Sequence, residues 1–108
     1  MITWEDFEKV DIRVGTILEV EDFPEAKKPA YKLKIDFGKY GIKCSSAQIT
    51  QLYEKVELLG KQIIAVTNFP PKQVANFTSE VLVLGIVTKE NVVLLQPERK
   101  VDNGYRIA

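Results

Sequence analysis

The sequence predicts an all-β domain with short helices: a barrel of five antiparallel strands, one helix between the third and fourth, and a short N-terminal helix. Three observations predict it. Tyr31, Leu33, Ile35 and Phe37 alternate with Lys32, Lys34 and Asp36, the period of a half-buried strand. Ile49, Leu52, Tyr53 and Val56 then fall at i, i+3, i+4 and i+7, the period of a helical stripe. Two apolar runs follow, Gln62 to Phe69 and Glu80 to Val87, with turn residues between them.

The elements follow in order. Thr3, with Asp6 three residues on, reads as a helix cap, and Trp4 and Phe7 share one face of that helix, which ends near Val10. A long strand runs from Asp11 to about Phe23, and Gly15 inside it suggests a bulge or a barrel corner. Lys27-Lys28-Pro29-Ala30 is a loop, Tyr31 to Phe37 a strand, and Gly38-Lys39-Tyr40-Gly41 a hairpin turn into a strand over Ile42 to Ser46. A helix is expected over Ala47 to Leu59, capped by Ser46 and terminated by Gly60. Pro70-Pro71 stops the Gln62 to Phe69 strand. The nearly all-apolar Glu80 to Val87 reads as a central strand, turning at Thr88 to Asn91 into Val92 to Gln96. Five antiparallel strands with a helix after the third is the layout of the OB fold, and a six-stranded meander barrel is the competing topology.

At 108 residues the chain is one domain, 1–108, 45% hydrophobic and 28% charged. No stretch approaches the roughly 18 apolar residues of a membrane span, so no membrane insertion is expected. Met1-Ile2-Thr3-Trp4-Glu5-Asp6 lacks the basic-then-apolar pattern of a signal peptide, and a cytoplasmic location is the expectation. Histidine is absent and Cys44 is the lone cysteine. That removes the commonest general base, the usual zinc ligands and any internal disulfide. Neither a phosphate-cradling glycine loop nor a carboxylate pair stands out, so no catalytic residue, metal or cofactor is expected. Net charge is zero but segregated: residues 1–25 carry net −6 and residues 26–72 net +6. Such segregation presents a positive face to an anionic ligand, or reflects solvated strand faces.

Three segments carry candidate binding residues. Lys32 and Lys34 project from one strand face, where they line a phosphate-binding surface or a solvated one. Ser45 and Ser46 lie where a strand is expected to run into a helix N-terminus, a place that accepts anions or is simply capped by Ser46. Asn68, Phe69, Pro70 and Lys72, followed by Phe77, Thr78 and Ser79, combine rigid prolines with aromatics that are either stacking platforms or core.

Asp11-Ile12-Arg13-Val14-Gly15-Thr16-Ile17, Ile35-Asp36-Phe37-Gly38, Leu59-Gly60-Lys61, Val66-Thr67-Asn68 and Ser79-Glu80-Val81-Leu82 together resemble the tRNA-binding domain family. The resemblance covers residues 7 to about 96 and implies the OB fold. Within the family it is closest to a subgroup of bacterial export-related chaperones, through the run Phe23 to Leu33, Cys44-Ser45-Ser46-Ala47-Gln48 and the ending Asn103 to Ala108. Ser46-Ala47 and Leu82 stand where tRNA-binding members usually carry Ser-Gly and methionine, while Ser79 matches.

The resemblance implies a non-catalytic homodimer that binds unfolded or precursor proteins in export and meets the export machinery, with tRNA as the alternative ligand. The expected groove comprises Lys32, Lys34, Ser45, Ser46, Asn68, Phe69, Pro70, Lys72, Phe77, Ser79 and Leu82. The expected dimer contacts are Trp4, Phe7, Tyr105 and Ile107, from the N-terminal helix and C-terminal tail.

Overall fold

A computed structural model describes residues 1–108. Helix α1, Trp4–Glu8, starts at Thr3: the Asp6 N–H donates to the Thr3 hydroxyl and the Thr3 N–H to the Asp6 carboxylate, the expected capping box. Strand β1, Ile12–Asp22, is the spine of the barrel. Its first half pairs with β4, Gln62–Val66, and its second half with β2, Tyr31–Asp36. The register shifts between Ile17 and Glu19, so the bulge falls at Leu18, and of the two readings of Gly15, bulge or barrel corner, the bulge is not the one seen. Gly15 serves close packing instead: a Cβ there would lie 2.6 Å from Ile35 and 2.8 Å from the Phe37 ring.

The alternation over Tyr31 to Phe37 holds, with Tyr31, Leu33, Ile35 and Phe37 all buried. A single 3₁₀ turn, Gly38–Tyr40, leads to β3, Ile42–Ala47. The helix expected over Ala47 to Leu59 shrinks to one turn, α2, Lys55–Leu58. Ala47 and Ser46 extend β3 opposite Tyr31 and Lys32, so Ser46 caps nothing. Side-chain anchorage replaces helix between them. Ile49 is buried, the Tyr31 hydroxyl donates to the Tyr53 carbonyl, and the Leu94 N–H donates to the Tyr53 hydroxyl. Val56, assigned to the stripe, is exposed. Gly60 does close the turn, with φ +80°.

The second half departs further from expectation. Lys72–Val74 and Phe77–Ser79 form a hairpin, β5 and β6, in a stretch where the sequence reading places no strand. The run Glu80 to Val87 is not one central strand. It divides into β7, Leu82–Val83, which pairs with β4, and β8, Gly85–Val87, which pairs with β9, Val92–Leu94. Gly85 marks the break, since a Cβ there would collide with Val92. The main sheet has the order β3-β2-β1-β4-β7 and curls into a nearly closed five-stranded antiparallel barrel. Its core joins Ile17, Leu33, Ile35, Ile63 and Ala65 from the central strands, and Phe37 just past β2, to Leu58 of α2. The C-terminal tail covers the first half of β1 on the edge that β2 leaves free: Gly104 N–H donates to Val14, Val14 N–H to Tyr105, and Ile107 N–H to Ile12.

Candidate ligand-binding cleft at the barrel seam

A sheet in this order has β3 and β7 as its free edges, and closure brings them together. Four hydrogen bonds clasp β3 to residues 79–81, the segment that leads into β7. Glu80 N–H donates to the Cys44 carbonyl at 2.8 Å, Cys44 N–H to the Glu80 carboxylate at 3.0 Å, Ser46 N–H to the Ser79 hydroxyl at 3.1 Å, and the Ser45 hydroxyl to the Val81 carbonyl at 3.0 Å. Beside the clasp the edges part and leave an open cleft of about 840 Å³. Buried Ala47, Ile49 and Val81 form its floor. Phe69, 54% exposed, and Leu82, 49% exposed, offer apolar surface at its rim, and β5 makes a third wall. A smaller depression of about 330 Å³ adjoins it across Ile49, Val87 and Val92, with Lys28 and Lys89 among its lining residues. More than half of the main cleft's lining residues are hydrophobic, so it can hold an apolar or amphipathic ligand by removing that surface from water.

Six of the expected groove residues gather here: Ser46, Phe69, Pro70, Lys72, Ser79 and Leu82. Five do not. Ser45 is 1% exposed, with its hydroxyl committed to Val81. Asn68 is a structural tie: its amide donates to the Lys9 carbonyl and its carbonyl accepts from Asp11 N–H. Phe77 packs edge-to-face on buried Phe23 with ring centroids 5.5 Å apart, and the Lys32 ammonium stands 5.5 Å from the Phe23 centroid. Lys32 and Lys34 belong to that other face, and each has an acidic partner.

The segregation of charge along the chain is undone in space. The register of β1 on β2 sets Glu19 opposite Lys34 and Glu21 opposite Lys32, giving ion pairs of 3.3 and 3.6 Å. Lys55 pairs with Asp22 at 2.8 Å. The expected positive face on β2 is therefore a mixed one. Cations outside any ion pair include Lys28, Lys72 and Lys89, all bordering the two depressions. Burial, and then the Glu80 charge, push the Cys44 thiol above its ordinary pKa. That favours the neutral thiol over a nucleophilic thiolate. No group of three His, Cys, Asp or Glu comes together as a metal site.

Trp4, at 84%, and Tyr105, at 65%, are exposed, while Phe7 and Ile107 are half-buried. The tail and α1 meet where the Arg106 guanidinium donates to the Glu8 carbonyl at 2.8 Å.

Lining residues that sequence reasoning missed include Ile49, Gln73, Val74, Val87 and Val92. Two signals pointed to them. Gly85 interrupts the apolar run, and Asn76 is a turn residue between two β-compatible triplets.

A nearly closed five-stranded barrel with a lined cleft at its seam is a binding barrel of the OB type. The sequence profile of the tRNA binding domain family matches residues 12–106, and the chain belongs to that family. Two solved structures are similar over the whole chain. Chaperone CsaA from Bacillus anthracis str. Ames is 54% identical with a TM-score of 0.96, covering 100% of this chain and 99% of that one. The CsaA chaperone protein from Picrophilus torridus is 63% identical with a TM-score of 0.95, covering 100% of both. Among curated relatives, a methionine–tRNA ligase from Pyrococcus horikoshii is 39% identical over 106 residues, 98% of this chain. The chain spans 14% of that relative's length.

Proposed function

We propose that this protein is a non-catalytic chaperone that binds unfolded or precursor polypeptides in the cytoplasm and serves protein export as a homodimer. The observation that carries the reading is the open, largely apolar cleft at the barrel seam, with Phe69 and Leu82 exposed at its rim. Exposed apolar surface of this kind gains free energy when covered, and an unfolded chain supplies apolar segments that a folded protein does not. The likeness to two CsaA chaperones over their full length supports the same role. Trp4 and Tyr105 are the surface offered to the second copy, and a two-fold contact needs only one such patch per chain.

A second reading, binding of tRNA, is favoured by the family itself and by the methionine–tRNA ligase relatives. Lys28, Lys72 and Lys89 would meet phosphates, and Phe69 would stack on a base.

The test is a titration of purified protein against an unfolded precursor protein and against bulk tRNA, each at low and moderate salt. Tight precursor binding that tolerates salt, with weak tRNA binding, is the expected result. Tight tRNA binding that falls steeply with salt, without precursor binding, would overturn the chaperone reading in favour of the second.

A further inference from the structure

The cleft's walls are runs of consecutive residues: 46–49, 72–74 and 79–85. Side chains in a strand alternate between faces, so a run of consecutive lining residues shares an edge, not a face. The 46–49 run continues from β3 and the 79–85 run contains β7, the two free edges of the barrel sheet. The 72–74 run is β5, whose only ladder partner is β6. Val74 stands opposite Phe77 across a two-residue turn that begins with Ala75 at φ +51°. In such a hairpin the pair flanking the turn exchanges both hydrogen bonds, and the next pair points its amides outward. That next pair is Gln73 and Thr78, so the Gln73 N–H and C=O face away from β6. Lys72, beside Gln73 on the same edge, belongs to no ion pair. Two carboxylates border the depressions: Glu80, which accepts from Cys44 N–H, in the cleft, and Glu90 in the adjoining depression.

We infer that the cleft takes its ligand as an extended peptide strand added to the outer edge of β5 through the Gln73 main chain, with an acidic residue of the peptide against Lys72. The inference rests on the chaperone reading and narrows it. Main-chain recognition does not depend on side-chain identity, which suits a protein that handles many unfolded sequences. The apolar floor takes every second side chain of the segment. Lys72 in the cleft, with Lys28 and Lys89 in the adjoining depression, outnumbers Glu80 and Glu90 there and favours apolar segments flanked by acidic residues over basic ones.

The probe is a short labelled peptide of alternating leucine and serine flanked by aspartate, with a lysine-flanked twin and a series N-methylated at one amide each. Methylation at one amide is expected to weaken binding roughly two- to tenfold, the loss of one neutral hydrogen bond, while its two neighbours tolerate it. Gln73→Pro removes an N–H that no ladder bond uses, and should weaken the parent peptide similarly, whereas Gln73→Ala should not. Lys72→Glu should reverse the preference between the two flanks. Uniform tolerance of methylation, or unchanged affinity in a folded Gln73→Pro variant, overturns strand addition while leaving the chaperone reading intact. An unchanged flank preference in Lys72→Glu overturns the charge assignment. Binding of neither peptide by a protein that still binds the unfolded precursor overturns this inference alone, and binding of neither peptide nor precursor overturns the chaperone reading with it.

Discussion

The Thr67 hydroxyl donates a 2.6 Å hydrogen bond to the Asp11 carboxylate. The same carboxylate oxygen accepts from the Arg13 guanidinium at 3.0 Å, and Arg106 of the tail stands 3.8 Å from the other oxygen. One side chain thus joins the start of β1, the exit of β4 and the C-terminal tail. The Thr67 bond, followed by Arg13 and Arg106, holds the carboxyl below its ordinary pKa. A depressed folded-state pKa contributes stability above the unfolded value, lost as pH falls through the folded one. Asp11→Asn is therefore expected to cost about 1–2 kcal/mol at neutral pH and little in strong acid. Melting curves across pH check this, and parallel loss at every pH would assign the effect to geometry rather than charge.

Gly15 has no room for a methyl group. A Cβ would press on Ile35 and Phe37, both fully buried. Gly15→Ala is expected to destabilise the domain by about 1–3 kcal/mol through overpacking. Denaturant unfolding measures it, and a neutral result would mean that β1 shifts freely at its bulge.

How much of the structure is legible in the sequence divides by range of interaction. The capping box at Thr3 and Asp6 and the alternation of Tyr31 to Phe37 are local patterns, and both appear as read. The helix over Ala47 to Leu59 fails because its stripe does not pack as one face: Tyr53 is held by distant partners, Leu94 and Tyr31, Ile49 is buried, and Leu52 and Val56 are exposed. Phe69, Pro70, Lys72 and Ser79 are legible as cleft residues because prolines and turn residues mark strand exits in sequence. Ser45 and Phe77 are misplaced because nothing local states which side of a short strand faces inward. Lys32 and Lys34 read as free cations until the register of β1 supplies Glu21 and Glu19.

Phe77 separates stability from binding. It is half-buried against Phe23, outside the cleft. Phe77→Ala should lower stability by about 2 kcal/mol, less than a full core truncation, and leave peptide affinity unchanged. A selective loss of affinity in a variant with unaltered melting would return Phe77 to the binding site.

The lysines make a similar division for RNA. Lys32 and Lys34 are neutralised by Glu21 and Glu19, whereas Lys28, Lys72 and Lys89 are unpaired at the cleft. If tRNA binds at the cleft, replacing the unpaired three with alanine should flatten the salt dependence by roughly 0.7–0.9 in slope for each phosphate that is no longer neutralised. Replacing Lys32 and Lys34 should leave the slope nearly as it was. The reverse ranking would move the RNA track onto the β2 face.

Trp4 tests the proposed dimer. Helix α1 buries none of its residues, and Trp4 is 84% exposed near Ile2, which is 76% exposed. A tryptophan left in water contributes almost nothing to a monomer's stability, but a tryptophan in a desolvated contact is often worth about 2 kcal/mol or more, on the order of a thirtyfold change in association. In a two-fold contact each substitution is counted twice. Trp4→Ala should therefore shift the dimer toward monomer in sedimentation equilibrium while the melting of the dilute monomer stays the same. Tyr105→Ala, on the tail held to β1 by its own main-chain bond to Val14, should act in the same direction without loosening the tail. An unchanged dimer in both variants would exclude the surface formed by α1 and the tail, and place the contact elsewhere, with the exposed Ile86 and Val87 of the β8–β9 hairpin as the next apolar surface to examine.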